Sequence, residues 1–173
     1  MTTVIEGKER GNTVNSQAIE LLNDALRLEY AGIIHLTLLN GSVQEIYTKY
    51  AISALCTDST NHAVKLAATI RELGGIPDWT LWDPPDNGTI IHMFEVQLAH
   101  ERICLYLYDK TAQLLARNHL AEQCLNFAMD EDRHIEIMEH VLFILGKQEG
   151  LHQQVPHPVQ EGAVFFNTGS STL

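Results

Sequence analysis

Apolar residues recur at helical spacing along most of this chain. Ile19, Leu22, Leu26, Ile33 and Leu36 form a first stripe, and the repeat of three and four residues marks one buried helix face. Ser16 can cap the start of this helix, which is expected to run to Asn40, with Gly41 as its stop. A second helix is expected over roughly 43–73, ending at Gly74 and Gly75 ahead of Ile76 and Pro77. The third starts near Thr89 and runs to about Arg117. After a break at Asn118 and His119, the fourth extends to Leu145 and stops at Gly146.

The connections set the topology. Short links between helices 1 and 2, and between 3 and 4, make two antiparallel hairpins. The middle segment GGIPDWTLWDPPDNG carries three prolines, which exclude regular helix. Extended, it can cross roughly 45–50 Å, the length of a helix of about 30 residues. The fold class is therefore all-α: an up-down four-helix bundle with one long crossover between helices 2 and 3. The bundle is expected over 16–146, with a flexible N-terminal arm at 1–15 and an extended or disordered tail at 147–173.

The two hairpins repeat in register. A shift of 72 residues carries Ile19 onto Ile91, Leu22 onto Phe94, Leu26 onto Leu98 and Ile33 onto Leu105. In the second helices it carries Leu55 onto Phe127, Leu66 onto Met138 and Ile70 onto Leu142. Apolar coincidence is easy at helical spacing, so the polar matches decide. Glu29 falls on Glu101 and His62 on His134, and each lies inside the apolar stripe of its helix. A buried, unpaired carboxylate costs several kcal/mol. Two acids and two imidazoles related by one constant offset therefore call for a common cation. Glu131, three residues before His134, is a fifth member; its counterpart under the shift is Ser59.

Composition adds modestly to this picture. A chain of 173 residues is one domain. Its 22 acidic residues outnumber 11 basic ones, for a net charge of -11, which argues against nucleic acid or an anionic membrane as partner and favours cations. Cys56, Cys104 and Cys124 lack zinc-type spacing and are expected as buried free thiols in a reducing compartment. The N-terminus has no apolar run of signal-peptide type, and no stretch approaches the roughly 20 apolar residues of a membrane span. The expected location is the cytoplasm.

Carboxylate oxygen and imidazole nitrogen suit iron, manganese or zinc, and residues three apart on a helix share a face, so Glu131 and His134 reach one centre. Here the chain resembles the ferritin-like di-iron carboxylate superfamily, and bacterioferritin-like proteins in particular. LLNDALRLEYAGIIH around Glu29, LAHERICLYLY around Glu101 and MDEDRHIEIMEH around Glu131 and His134 carry the resemblance. The family places one Glu on each of two helices and Glu-x-x-His on each of the other two. By that resemblance, Glu29 and Glu101 are terminal carboxylates, His62 joins the Glu29 metal, His134 joins the Glu101 metal, and Glu131 bridges both. The family's second bridging Glu corresponds to Ser59, and its haem methionine to Thr60, so haem bound in the bacterioferritin manner is not expected. Hydroxide, water on the Ser59 hydroxyl or an exogenous carboxylate would complete the centre; Asp58, one turn before His62, is a rival ligand.

The resemblance implies two iron ions, Fe(II) and oxygen or peroxide as partners, a homo-oligomer, and ferroxidase-type oxidation with a role in iron storage or detoxification. Glu29, Glu101 and Glu131 are the expected catalytic carboxylates. Two other readings stay open: a metal-binding or structural bundle with a degenerate centre, and a di-metal oxidase or oxygenase for a small organic molecule. Tyr108, two turns beyond Glu101, is either core filler or a redox tyrosine. His92, His100 and His140 fall beside their stripes and read as surface or capping groups. His152 and His157 read as solvated tail residues, and Trp79 and Trp82 as packing for the crossover.

Overall fold

The computed structural model describes residues 2–81, 88–115 and 118–153, with side chains over 13–81, 88–115 and 118–147. Four helices follow in order: α1 (Thr2–Ser42), α2 (Ile46–Glu72), α3 (Ile90–Leu114) and α4 (His119–Gln153). Side-chain pairs fix their directions. Asn40 meets Ser53 and Glu29 meets His62, so α1 and α2 are antiparallel. Glu29 with Tyr108 and His35 with Gln97 make α1 and α3 antiparallel. Glu101 with His134 and Tyr108 with Phe127 do the same for α3 and α4, and His62 with Asp130 and Thr69 with Gln123 for α2 and α4. Each helix thus runs against both neighbours, as the long crossover requires.

The inner boundaries follow local chemistry. Glu45 caps α2 by accepting from the Tyr47 and Thr48 amides at 2.9 and 2.6 Å, and Thr89 caps α3 through the His92 amide. α2 ends in a Schellman turn: Gly74 adopts φ 87° and donates to the Arg71 carbonyl, and Gly75 donates to that of Ile70. A side chain at Gly75 would press on Ile19, its Cβ standing 2.8 Å from Cγ2. The crossover is then tied back to α1: Asp78 accepts from Arg27 at 2.5 Å, its amide donates to Asn23, and Trp79 meets the Tyr30 ring edge-on at 6.1 Å. The expected partner Trp82 lies outside the described residues.

Both outer boundaries differ from expectation. α1 begins at Thr2, ahead of Ser16, and α4 continues past Gly146 to Gln153. Nothing lies within 4 Å of a Cβ added at Gly146, and a lone helical glycine costs only about 1 kcal/mol.

The core has two main apolar halves, with a small third cluster of Ala18, Leu115 and Leu120. One contains Leu22, Leu26, Leu66, Ile70, Leu107 and Phe127; the other contains Leu36, Leu39, Ile52, Leu55, Phe94 and Met138. Glu29, Ser59, His62, Glu101, Glu131 and His134 are all buried within the bundle. Cys104 and Cys124 are buried free thiols as expected, whereas Cys56 is only partly buried. Among the described residues, no helix is long and apolar enough to cross a membrane.

Candidate metal centre

Five side chains from four helices converge in the interior. α1 supplies Glu29, α2 His62, α3 Glu101, and α4 both Glu131 and His134. Their donor atoms form two groups, Glu29–His62–Glu131 and Glu101–Glu131–His134, each with all three atoms within 4.8 Å of one another. In the first, His62 Nδ1 stands 3.0 Å from Glu29 Oε1 and 2.9 Å from Glu131 Oε1. In the second, His134 Nδ1 stands 3.2 Å from Glu101 Oε2 and 3.3 Å from Glu131 Oε2. Glu131 therefore turns one oxygen to each group.

Glu131 lies within ion-pair distance of both imidazoles. Both of its oxygens are buried and have no aligned hydrogen-bond partner. A single Nδ1 cannot direct one proton at two carboxylates; a cation placed among three donors can serve all of them. This geometry and its donor set, oxygen and imidazole nitrogen, fit divalent iron, manganese or zinc.

Without a cation, protons take its place. Burial opposes charge on His62, but the Glu131 and Glu29 carboxylates outweigh it and push the imidazole up to about 11. Burial likewise opposes charge on His134, yet Glu101 and Glu131 push it up to about 10. Glu131 moves upward, through burial first and then the charge of Glu29 and its contact with Glu101.

The far side of each imidazole is also held. His62 Nε2 lies 3.2 Å from Asp130 Oδ2, and His134 Nε2 lies 3.3 Å from Asp58 Oδ2. Asp58 and Asp130 exchange under the 72-residue shift. Asp58 is thus placed behind His134, where Arg133 also binds it at 2.8 Å, and outside both donor groups. Asp130 was not singled out from the sequence, although the shift that pairs the histidines pairs it with Asp58. Its setting in the charged run DEDRH gives no sign of an inward role.

Behind the terminal carboxylates stand further groups. Tyr108, fully buried, donates to Glu29 Oε1 at 2.5 Å; its hydroxyl has a polar contact inside the core. Gln97 donates to Glu101 Oε1 at 2.6 Å and pairs with His35 Nδ1 at 3.1 Å. Sequence reasoning missed Gln97 and His35, since a single glutamine one turn before Glu101 is unremarkable. His100, expected on the surface, is half-buried with its ring 6.4 Å from that of His35 and its Nδ1 buried without a partner. His92 and His140 are exposed; the side chains of His152 and His157 lie outside the described residues.

Neither a family model nor a curated protein matches this chain. Solved structures do. A ferritin-like, diiron-carboxylate protein from Bacillus anthracis str. Ames is 26% identical with a TM-score of 0.69, over 75% of this chain and 97% of that one. Bacterioferritin from Rhodobacter capsulatus, described with a metal-free dinuclear site and haem iron, is 22% identical with a TM-score of 0.66, over 85% and 98%. Desulfovibrio desulfuricans bacterioferritin, described with a diiron site, is 17% identical with a TM-score of 0.69, over 91% and 97%. Four antiparallel helices, a long crossover and this structural likeness together assign the chain to the ferritin-like superfamily.

Proposed function

We propose that this chain holds two divalent cations, most readily iron, and oxidises Fe(II) with oxygen or peroxide. The carrying observation is Glu131, whose two buried oxygens, neither in an aligned hydrogen bond, face the two Glu–His pairs separately. On this reading Glu29 and Glu101 are the terminal carboxylates, His62 and His134 the imidazole ligands, and Glu131 the bridge. The diiron description of the B. anthracis protein supports iron; manganese and zinc accept the same donors.

Bound metals supply redox capacity and Lewis acidity. The protein supplies the rest. The apolar core halves keep water from the centre, Asp58 and Asp130 orient the imidazoles, and the partly exposed Asp58, Asp130 and Arg133 form the polar rim by which Fe(II) arrives as substrate. Three carboxylates leave one positive charge on two dications; hydroxide, water on Ser59 or an exogenous carboxylate balances it. Thr60 has no thioether and donates to the Cys56 carbonyl, so the reading includes no haem held in the bacterioferritin manner. The free thiols support a reducing, cytoplasmic location. Exposed Ile46, Tyr47 and Tyr50 on α2 support a homo-oligomer, which iron storage would require.

Aerobic addition of Fe(II), followed by near-ultraviolet absorbance, tests the oxidation. A ferric band saturating at two irons per chain, and abolished in Glu131→Gln, is expected. Iron bound without a ferric band would favour the inert bundle. Size exclusion tests storage separately: a monomer or dimer would remove the storage role while leaving oxidation intact.

A further inference from the structure

The two proposed metal positions match in their donors but differ behind them. The shift that exchanges Glu29 with Glu101 sets Leu36 against Tyr108, Ala25 against Gln97 and Leu107 against His35. Each terminal carboxylate therefore has a partner that its mate lacks, and the two partners bind different oxygens. Tyr108 donates to Glu29 Oε1, the same oxygen that faces His62 Nδ1. Gln97 donates to Glu101 Oε1, whereas Oε2 is the oxygen facing His134. The phenol competes for the donor atom itself; the amide holds the carboxylate from behind.

The amide is in turn locked. An ionised carboxylate only accepts, so the Gln97 NH2 group faces Glu101 and its carbonyl oxygen faces His35. That carbonyl cannot donate, so His35 carries its proton on Nδ1 and supplies it to Gln97. His35 is 1% exposed and Gln97 2%, so water does not compete for these bonds. Gly32 closes the other side: a Cβ there would stand 3.1 Å from Gln97 Nε2, tighter than ordinary contact.

We propose that Gln97, locked by His35, is the positioning residue that makes the Glu101–His134 half the first to take a cation, while Tyr108 holds the Glu29–His62 half for the second. At the first half the carboxylate is already oriented by Gln97 through its outer oxygen, which leaves Oε2 turned to the centre, so little ordering remains on binding. At the second a cation must displace or share a short O–H bond. The inference rests on the two-cation reading above and adds an order to it.

Anaerobic titration with Co(II), followed by visible absorption and calorimetry, tests it. Wild-type protein is expected to bind two cobalt ions in two resolved steps. Gln97→Ala and His35→Leu weaken the first step by roughly tenfold or more, the size of effect typical of groups that orient ligands, and leave the second in place. His35→Asn, whose amide N–H can replace the Nδ1 donor, restores the first step, which a merely space-filling role would not predict. Tyr108→Phe tightens the second step and draws the two together. If His35→Leu fails to fold, Tyr108→Phe, which removes one hydroxyl, decides alone. Two equivalent cobalt ions in wild type, or a first step indifferent to Gln97→Ala, overturns the order but leaves the two-cation reading. Fewer than two cobalt ions overturns both.

Discussion

His62 stands 3.2 Å from Asp130, its Nε2 turned to that carboxylate while Nδ1 faces the centre. Asp130 therefore fixes the ring without joining the donors. Asp130→Ala and Asp58→Ala are each expected to weaken Mn(II) or Zn(II) binding by about tenfold while the stoichiometry stays at two. Loss of a whole ion in Asp58→Ala would return Asp58 to the ligand set.

On the two-cation proposal, Glu131 is a liability without metal and a bridge with it. Its raised proton affinity makes glutamine a close stand-in for the metal-free state. Glu131→Gln is expected to melt at or above the wild-type temperature without metal, and to lose most of the metal-dependent rise. For scale, metal at a hundredfold excess over Kd contributes about 2.7 kcal/mol. A metal-dependent rise equal to wild type would remove Glu131 from the centre.

The proton balance gives a pH dependence of definite sign. His62 and His134 are raised from 6.5 to about 11 and about 10. Their contribution to metal-free stability is therefore full below about 6.5 and declines until the pH passes about 11. Glu131, also raised, acts in the same direction as it ionises. Metal-free protein should lose melting temperature steadily from pH 7 to 10. Metal binding at neutral pH should release at least one proton for each ion bound, so affinity rises with pH. Calorimetry in two buffers of different ionisation enthalpy measures that release; none detected would contradict the protonated imidazoles.

Ser59 is 2% exposed in the helix position that matches Glu131. Ser59→Glu adds a buried carboxylate beside three others. The metal-free variant is expected to melt well below wild type, since an uncompensated buried charge costs several kcal/mol, whereas its metal-dependent rise should exceed the wild-type value. Equal shifts with and without metal would mean that residue 59 does not reach the cations.

Much of this was legible because the repeat carries charge into an apolar stripe. Glu29, Glu101, His62 and His134 announced themselves by occupying positions where leucine and isoleucine belong, and the three-proline segment announced the crossover. Gln97 and His35 did not, because uncharged polar residues violate the stripe weakly and their roles exist only across the α1–α3 interface. The contact of Asp58 was not legible for a related reason: angular position on α2 brings it near His62, but its carboxylate crosses to α4 and binds His134. The helix ends were the least legible, since Gly146 permits a stop without enforcing one.

The separation of the core into two apolar halves has a consequence for how the bundle comes apart. Hydrophobic packing gives cohesion within each half, but among the buried ionisable side chains cohesion depends on what neutralises the acids. With cations, four helices are cross-linked at mid-length and the molecule should open as one cooperative unit. With protons alone, that seam is the weakest plane in the bundle. Amide hydrogen exchange would then report two blocks of differing protection, one on each side of Glu131.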